Sequence, residues 1–290
     1  MKRFFLFLVS VFLMVVIVFL AWLMTPDLQL FSSPNRIGVL EVRGLIDNVQ
    51  ESLKALKEFR QDANVKAILV RIDSPGGGIG PSQELYREIR RTIEEKPVVA
   101  SMGGIAASGG YYIASAASRI VSNPGTITGS IGVISYFPNL QALLDKIGIT
   151  AIVIKSGRFK DMGNPGREMT PEEKALLQGT IDEALGQFVH DVAVGRKLPE
   201  DKVREIADGR ILTGQTALQL GLVDQLGNFE DGVNAAAQLG EIQGEPELIY
   251  QERKRRSLLD FIVGNELAEQ LSGYVDGSPH FLRYQLPISR

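Results

Sequence analysis

The chain has no cysteine, only two histidines among its 290 residues, and no excess of basic charge: 31 lysine and arginine side chains stand against 34 acidic ones, for a net charge of −3. Without cysteine, a disulfide-stapled secreted scaffold is excluded, although an oxidising compartment stays compatible with the sequence. Without a net basic face, a nucleic-acid partner is disfavoured, and Lys2 and Arg3 supply two of the cations, so the remainder is more acidic still. No His/Cys cluster or carboxylate set occurs at metal-ligand spacing, so neither a metal nor another cofactor is expected. Internal repeats and low-complexity linkers are also missing. What is present is 44% apolar and 22% charged residues, enough for a packed globular body and too apolar for a disordered tail or a collagen-like fibre.

Charge is absent altogether from Phe4 to Met24, where Ser10 is the only hydroxyl. At about 1.5 Å per residue, a helix over this run spans a hydrocarbon core of roughly 30 Å. Lys2 and Arg3 precede it and Pro26-Asp27 follows it, which by the positive-inside rule leaves the N-terminus in the cytoplasm and sends the body across. Trp22 falls near the far end, as an interfacial anchor would. A cleaved signal peptide is the alternative, but such peptides have apolar cores of about 7 to 15 residues, and Ala21-Trp22-Leu23-Met24 offers no small-x-small cleavage site. The chain therefore divides into a signal anchor over 1–24, a linker over 25–35, a folded body over 36–245 and a C-terminal extension over 246–290.

Strand-like runs alternate with helical ones through the body, predicting one layered α/β fold with mostly parallel strands. Arg36 to Val42 reads as a strand. Asp47 with Gln50 opens a helix in capping-box fashion, with Val49, Leu53, Leu56 and Phe59 on one face. Lys66 to Ile72 is a nearly continuous apolar strand of the buried kind, and Val98 to Ser101 is the next. Between them, Pro81 suits the first position of a helix whose stripe is Leu85, Ile89 and Ile93 and which stops before Pro97. Ile152-Val153-Ile154 reads as a further strand. Thr170-Pro171-Glu172-Glu173 combines a capping hydroxyl, a first-turn proline and a glutamate that reaches back to the cap. It starts a long helix marked by Leu177, Ile181, Leu185, Phe188 and Val192.

Two glycine-rich segments follow strands. In Asp73-Ser74-Pro75-Gly76-Gly77-Gly78, consecutive glycines let backbone N–H groups approach an anion or carbonyl oxygen without obstruction by Cβ. A tight turn with no ligand is the other reading. The third glycine of a dinucleotide fingerprint is missing, because Pro81 or Gln83 stands at that position, and no Lys-Ser/Thr follows to make a Walker loop. In Gly103-Gly104-Ile105-Ala106-Ala107-Ser108-Gly109-Gly110-Tyr111-Tyr112, Ser108 precedes a buried helix beginning near Ile113. It either caps that helix or acts as a nucleophile, with small neighbours leaving its hydroxyl accessible and helix N–H groups stabilising developing charge.

A nucleophilic serine needs a base. His190 lies on the polar side of its helix and His280 in a Gly-Ser-Pro-rich segment, so both read as solvated. A lysine held neutral by an apolar site is the remaining option.

The motifs taken together resemble one family. Asp73-Ser74-Pro75-Gly76-Gly77-Gly78, Ala107-Ser108-Gly109-Gly110-Tyr111-Tyr112, Thr128-Gly129-Ser130-Ile131-Gly132-Val133, Ser156-Gly157-Arg158-Phe159-Lys160-Asp161, and Gly209-Arg210 through Gly221-Leu222-Val223-Asp224 are similar, in this order, to blocks of the signal peptide peptidase A family of serine-lysine peptidases. The resemblance covers about residues 36 to 240 and implies a Clp/crotonase-like fold, with 36–245 as the peptidase domain. It implies Ser108 as nucleophile, Lys160 as general base, Ser130 as a hydroxyl supporting the lysine, and the Gly77 and Gly109 N–H groups as oxyanion donors. It further implies peptide substrates such as signal-peptide remnants, a membrane anchor with the catalytic domain on the extracytoplasmic side of the inner membrane, and a ring-like homo-oligomer whose sites draw on neighbouring subunits.

For Lys160 to act near neutral pH its pKa must fall from about 10.4 towards 7 or 8, which requires an apolar, closed pocket. Phe159, Met162 and Ile131-Gly132-Val133 are candidate walls. Taken without the other blocks, Lys160 reads as a surface lysine paired with Asp161, and Lys155 is the competing base. Arg253-Lys254-Arg255-Arg256 before Leu258, Leu259, Phe261, Ile262 and Leu267 reads as an amphipathic helix with a basic start or as a solvated tail. Three other functions stay open: a serine-lysine protease cutting a stomatin-like membrane protein, a crotonase-like acyl-CoA enzyme, and a silent interaction domain on a tether.

Overall fold

The computed structural model describes residues 10–17, 35–251 and 283–285. Met1–Pro34 and Asn35–Arg290 form two compact units. In the first, residues 10–17 are helical and largely exposed. No helix among the described residues is long and apolar enough to cross a membrane. The rest of the Phe4 to Met24 run lies outside the described residues, as do His280 and the basic and apolar segments expected to form a C-terminal helix.

The second unit runs β1 (Arg36–Ile46), α1 (Gln50–Gln61), β2 (Val65–Gly78), α2 (Ile79–Thr92), β3 (Val98–Ala107), α3 (Gly109–Ser115), β4 (Arg119–Ser122), β5 (Ile127–Gly129), α4 (Gln141–Lys146), α5 (Pro171–Arg196), α6 (Glu200–Arg204), β6 (Ile211–Thr213), α7 (Gly214–Gln219), β7 (Gln225–Leu226), α8 (Phe229–Leu239), β8 (Glu247–Tyr250) and β9 (Arg283–Gln285). One sheet orders the strands β6-β5-β3-β2-β1-β8, with β4 beside β3, β7 beside β4 and β9 beside β2. Pairing is parallel except between β5 and β6 and between β2 and β9. The expected α/β class is therefore the one adopted. β8, beyond residue 245, is the edge strand beside β1.

The apolar runs read from the sequence are explained by burial on both sheet faces. Ile37, Val39, Ala67, Leu69 and Val99 point to one side and pack with Val233, Ala235 and Ala236 of α8. Leu40, Val42, Ile68, Val70 and Ile72 alternate to the other, against Leu56 and Phe59 of α1, Leu85 and Ile89 of α2, Tyr111 and Tyr112 of α3 and Phe188 and Val192 of α5. Each fully buried aliphatic side chain contributes about 1.5–3 kcal/mol. The tyrosines keep their hydroxyls satisfied inside this layer, Tyr111 donating to the Leu222 carbonyl at 2.9 Å and Tyr112 bonding Asp191.

Three expectations are corrected. The first helix opens at Gln50 with Val49, not Asp47, as its N-cap and no side-chain capping bond; Asn48 Oδ1 instead accepts the Gln50 N–H at 3.0 Å. The glycine-rich segment after Asp73 is not a loop, because β2 continues to Gly78 across a register shift after Asp73, with Gly76 at φ 107° and its far end paired with Leu45 and Ile46 of β1. Ile152-Val153-Ile154 is not a strand: it has no ladder partner and is exposed, Ile154 by 95%. β-Branched residues favour a strand only where a neighbouring strand supplies hydrogen bonds and cover. The Thr170 capping box forms as expected, with Pro171 in the first turn of α5.

Candidate active site

β3 divides its neighbours along its length. Its first half, Val99 to Met102, pairs with β4, and its last residues, Ile105 to Ala107, pair with β5. The two chains diverge between, and the site lies at the C-terminal ends of β2, β3 and β5, where parallel sheets open onto their connecting loops.

Ser108 alone joins β3 to α3, at φ 53° and ψ −117°. A residue with a Cβ occupies this region only where its surroundings force it to, at a strain of about 1–3 kcal/mol. What forces it here is a fixed frame on both sides. The Ser108 N–H donates to the Gly129 carbonyl at 2.8 Å, and its carbonyl accepts from Tyr112 N–H at 2.8 Å. The side chain makes no capping bond to α3, so the helix-cap reading is not the role adopted. The residue is 1% exposed, and its Oγ has no hydrogen-bond partner among the described residues. Buried hydroxyls are normally satisfied, and one that is not points to work beyond folding.

Ser130 stands beside it for a reason of register. Ala107 pairs with Gly129, so Ser108 and Ser130 are each one residue past the last pair of adjacent parallel strands. Ser130 also has positive φ, 50°, and its N–H is fixed by the Arg210 carbonyl at 2.8 Å. It lines a cavity of about 380 Å³ with Val133, Ile134, Ile181 and Leu185, and with Asp182 and Asp208 at its polar side.

The glycines of the two motifs are required by close approach. A Cβ on Gly77 would lie 2.4 Å from the Ile46 carbonyl oxygen, and one on Gly110 would lie 2.8 Å from that of Ser74. Ser74 Oγ donates to the Gly44 carbonyl at 2.6 Å, clamping the same region from below. β1, the end of β2 and the start of α3 are thereby drawn together around Ser108. Gly109 is the first residue of α3, so its N–H has no helical carbonyl four residues back. On its other edge, Gly76–Gly78 carries β9 as an antiparallel strand, Gly77 opposite Tyr284.

Lys160 sits elsewhere. It is exposed, on a turn where its N–H bonds the Gly157 carbonyl at 3.1 Å, and its side chain makes no hydrogen bond or ion pair among the described residues. Because Ser108 Oγ is without a partner, the two expected dyad members are not joined within one chain. The expected walls do not close over it there: Phe159 and Met162 are half-buried, and Arg158 stacks 4.5 Å from the Phe159 ring. The pairing with Asp161 is not adopted either, since Asp161 is held by Lys155 and Arg167. Lys155, the competing base, is committed to that ion pair and to the Arg158 carbonyl at 3.0 Å. His190 is exposed and bonds Glu200 at 2.6 Å, and this carboxylate holds its imidazole above the usual histidine range.

One charged cluster was not legible in the sequence. The Arg167 fork joins Asp161, on the Lys160 turn, to Glu173 in the first turn of α5. Glu173 is 3% exposed and serves the Thr170 capping box as well. The available signal was the six-residue spacing Asp161, Arg167, Glu173, which fits no helical or strand period and acquires meaning only in the folded chain.

Residues 90–243 match the model of peptidase family S49. Among similar proteins, a Synechocystis sp. chain provisionally named a protease is 51% identical over 210 residues, covering 72% of this chain and 76% of that one. An Enterococcus faecium protein provisionally named signal peptide peptidase SppA is 36% identical over 252 residues, 82% of this chain and 73% of its own. The chloroplastic serine protease SPPA of Arabidopsis thaliana is 36% identical over 230 residues, 78% of this chain but 34% of that longer one. With the strained, buried serine between β3 and α3 inside the matched region, the chain belongs to peptidase family S49, the signal peptide peptidase A family, and is a serine-type protease.

Proposed function

We propose that the protein is a membrane-anchored serine endopeptidase with a Ser108–Lys160 dyad, degrading signal-peptide remnants and other extended apolar peptides at the membrane surface. The observation that carries this reading is Ser108: buried, without a hydrogen-bond partner, and held at positive φ between a strand end and a helix start. Ser108 Oγ attacks the scissile carbonyl carbon while the neutral Lys160 amine takes its proton, and the Gly77 and Gly109 N–H groups bind the oxyanion. The tetrahedral adduct then collapses, the amine leaves with the proton returned by Lys160, and a water deprotonated by Lys160 hydrolyses the acyl-enzyme.

Substrate takes the place of β9 and lies as an extended strand along Gly76–Gly78. That this edge carries β9 in antiparallel pairing supports a main-chain mode of binding. Lys160 comes from a neighbouring copy in a ring. In support, Lys160 is exposed and unpaired among the described residues of the single chain, and it follows a segment with Tyr136 83%, Leu143 55%, Ile152 86% and Ile154 95% exposed, an apolar surface of the kind that assembly covers. The uncharged run from Phe4 to Met24 supports an anchor in the inner membrane, with the catalytic unit on its extracytoplasmic face.

Ser108→Ala and Lys160→Ala proteins are each expected to be inactive on an apolar peptide, and co-assembling the two restores part of the activity, because some subunit pairs then unite an intact Ser108 with an intact Lys160. Full activity in either single variant removes that residue from the mechanism. Two inactive variants that never complement place both groups within one chain.

A further inference from the structure

The turn that presents Lys160 has little to hold it. Residues 149–154 before it have neither helix nor strand and are exposed, and its backbone makes three short-range bonds, Lys160 N–H to Gly157, Met162 N–H to Phe159 and Asn164 N–H to Asp161, each 3.1 Å. Beside Arg167, Lys155, on Asp161 and the Arg158 carbonyl, and Arg158, on Glu172, add side-chain bonds to it. Against this background the Arg167 guanidinium is fully employed. Its Nε donates to Asp161 Oδ2 at 2.9 Å, its Nη2 to Asp161 Oδ1 at 2.9 Å and to Glu173 Oε1 at 2.5 Å, and its Nη1 to Glu173 Oε2 at 2.9 Å. Nη2 also reaches the Asp161 carbonyl at 3.2 Å, and Nη1 the Glu168 carbonyl at 3.0 Å. Glu173 is anchored in turn, since its Oε2 accepts the Thr170 N–H at 2.8 Å and its own N–H donates to Thr170 Oγ1 at 3.2 Å. An unbroken series of bonds thus runs from the first turn of the 26-residue α5 to the residue after Lys160.

We infer that Arg167, clamped between Asp161 and Glu173, is a positioning residue for Lys160: it fixes the turn that delivers the amine and offsets the carboxylate next to it. The inference rests on Lys160 being the base, as proposed above. A fork that makes two bonds to each of two carboxylates fixes orientation as well as distance, which a lysine in its place does not. The electrostatic half follows from sign. A neutral amine is disfavoured by nearby negative charge, and Asp161 adjoins Lys160 in sequence. Lys155 and Arg167 supply the two cations that face Asp161. The other charges packed around the turn are Arg158 paired with Glu172, Glu173 with Arg167, and Glu168 and Asp145 along the hollow that Arg167 lines. Removing Arg167 leaves Glu173 without its cation and Asp161 with one, so the surroundings become more negative and the ammonium form of Lys160 is favoured.

The test is kcat/KM against pH for the full chain on one apolar peptide, with wild type, Arg167→Gln, Arg167→Lys, Asp161→Asn and Lys160→Ala compared. Arg167→Gln is expected to lower kcat at least ~10-fold with KM little changed, and to move the acid limb upward by about half to one pH unit. Asp161→Asn moves the limb downward. Arg167→Lys leaves it in place while still lowering kcat, since charge is kept and the fork is lost. Damage to folding alone cannot displace the limb in opposite directions. Acid limbs that coincide with wild type in both Arg167→Gln and Asp161→Asn overturn the inference, as does a wild-type kcat in Arg167→Gln. Should Arg167→Gln not fold, Arg167→Lys decides: a lowered kcat with the limb in place supports the role, and a wild-type kcat overturns it. Lys160→Ala separates the two levels: if it is active, the dyad itself is wrong, whereas if it is inactive while the other variants titrate as wild type, only the role of Arg167 falls.

Discussion

Replacing Ser108, the proposed nucleophile, should make the protein more stable, and the two smallest replacements should do so to different extents. Ser108 carries two separate liabilities, a Cβ in a backbone region that disfavours one and a buried hydroxyl without a partner. Ser108→Ala keeps the Cβ and removes the hydroxyl, whose unsatisfied burial costs about 1–3 kcal/mol. Ser108→Gly removes both. Relief of strain gives a further 1–3 kcal/mol or so, less about 0.4–1 kcal/mol for the greater freedom of glycine in the unfolded chain. The expected order is therefore glycine above alanine above wild type, in steps of roughly 1 kcal/mol, each worth about 2–4 °C in Tm for a body of this size. Urea unfolding followed by tryptophan-independent circular dichroism, with peptidase activity measured in parallel, reads both properties. On the proposed assembly, in which a neighbouring Lys160 bonds the hydroxyl, the alanine step shrinks, but the glycine-over-alanine difference is untouched because it is a property of the backbone. A Ser108→Gly protein no more stable than Ser108→Ala would refute the claim of strain, and a destabilised Ser108→Ala protein would show that the hydroxyl is satisfied.

Gly77→Ala is expected to lose at least ~2 kcal/mol of stability, because its Cβ would meet backbone atoms of Ile46 that cannot swing aside; an unchanged unfolding midpoint would contradict this. Arg167 and the Thr170 N–H hold the Glu173 carboxyl down at about 2, so its stabilisation is fully present above the ordinary carboxylate range near ~4.3 and is lost as pH falls through about 2. Glu173→Gln should accordingly flatten the dependence of stability on pH across that window, read by acid unfolding curves. His190→Gln should leave kcat/KM and its pH profile unchanged between about pH 6 and 9, since His190 is exposed and bonded to Glu200; a lost limb would return histidine to the list of bases.

Those parts of the fold that depend on neighbours in sequence were legible. The nearly continuous apolar run from Lys66 to Ile72 announces a strand because its aliphatic residues are buried on both faces, and Thr170, Pro171 and Glu173 announce the start of α5 because capping is local chemistry. Where distant segments decide, the reading failed. Pro75 to Gly78 has turn composition, yet β1 on one side and β9 on the other keep it extended. Ile152 to Ile154 has strand composition, yet no strand pairs with it. At the site, the small residues around Ser108 predict an accessible hydroxyl, yet the residue is 1% exposed, and the positive φ of Ser108 and Ser130 at the ends of the paired β3 and β5 is encoded by no spacing. Lys160 was marked by its motif alone. Its exposure in the single chain and the bracing of its turn by Arg167 emerge only from the three-dimensional arrangement.

With substrate on the Gly76–Gly78 ladder, as proposed, the ladder has a consequence for product distribution. Glycine offers no side chain to either face of the sheet, so nothing on the enzyme's side of this ladder holds an incoming peptide in one alignment. A guest strand displaced by two residues keeps its outward and inward faces and repeats the same main-chain bonds, whereas a shift of one inverts them. Cleavage of a uniform apolar segment should then give nested fragments differing by pairs of residues, trimmed from a sliding guest. On the same proposed mode, folded proteins are expected to escape, because their backbone groups are already engaged and have none to lend to the ladder.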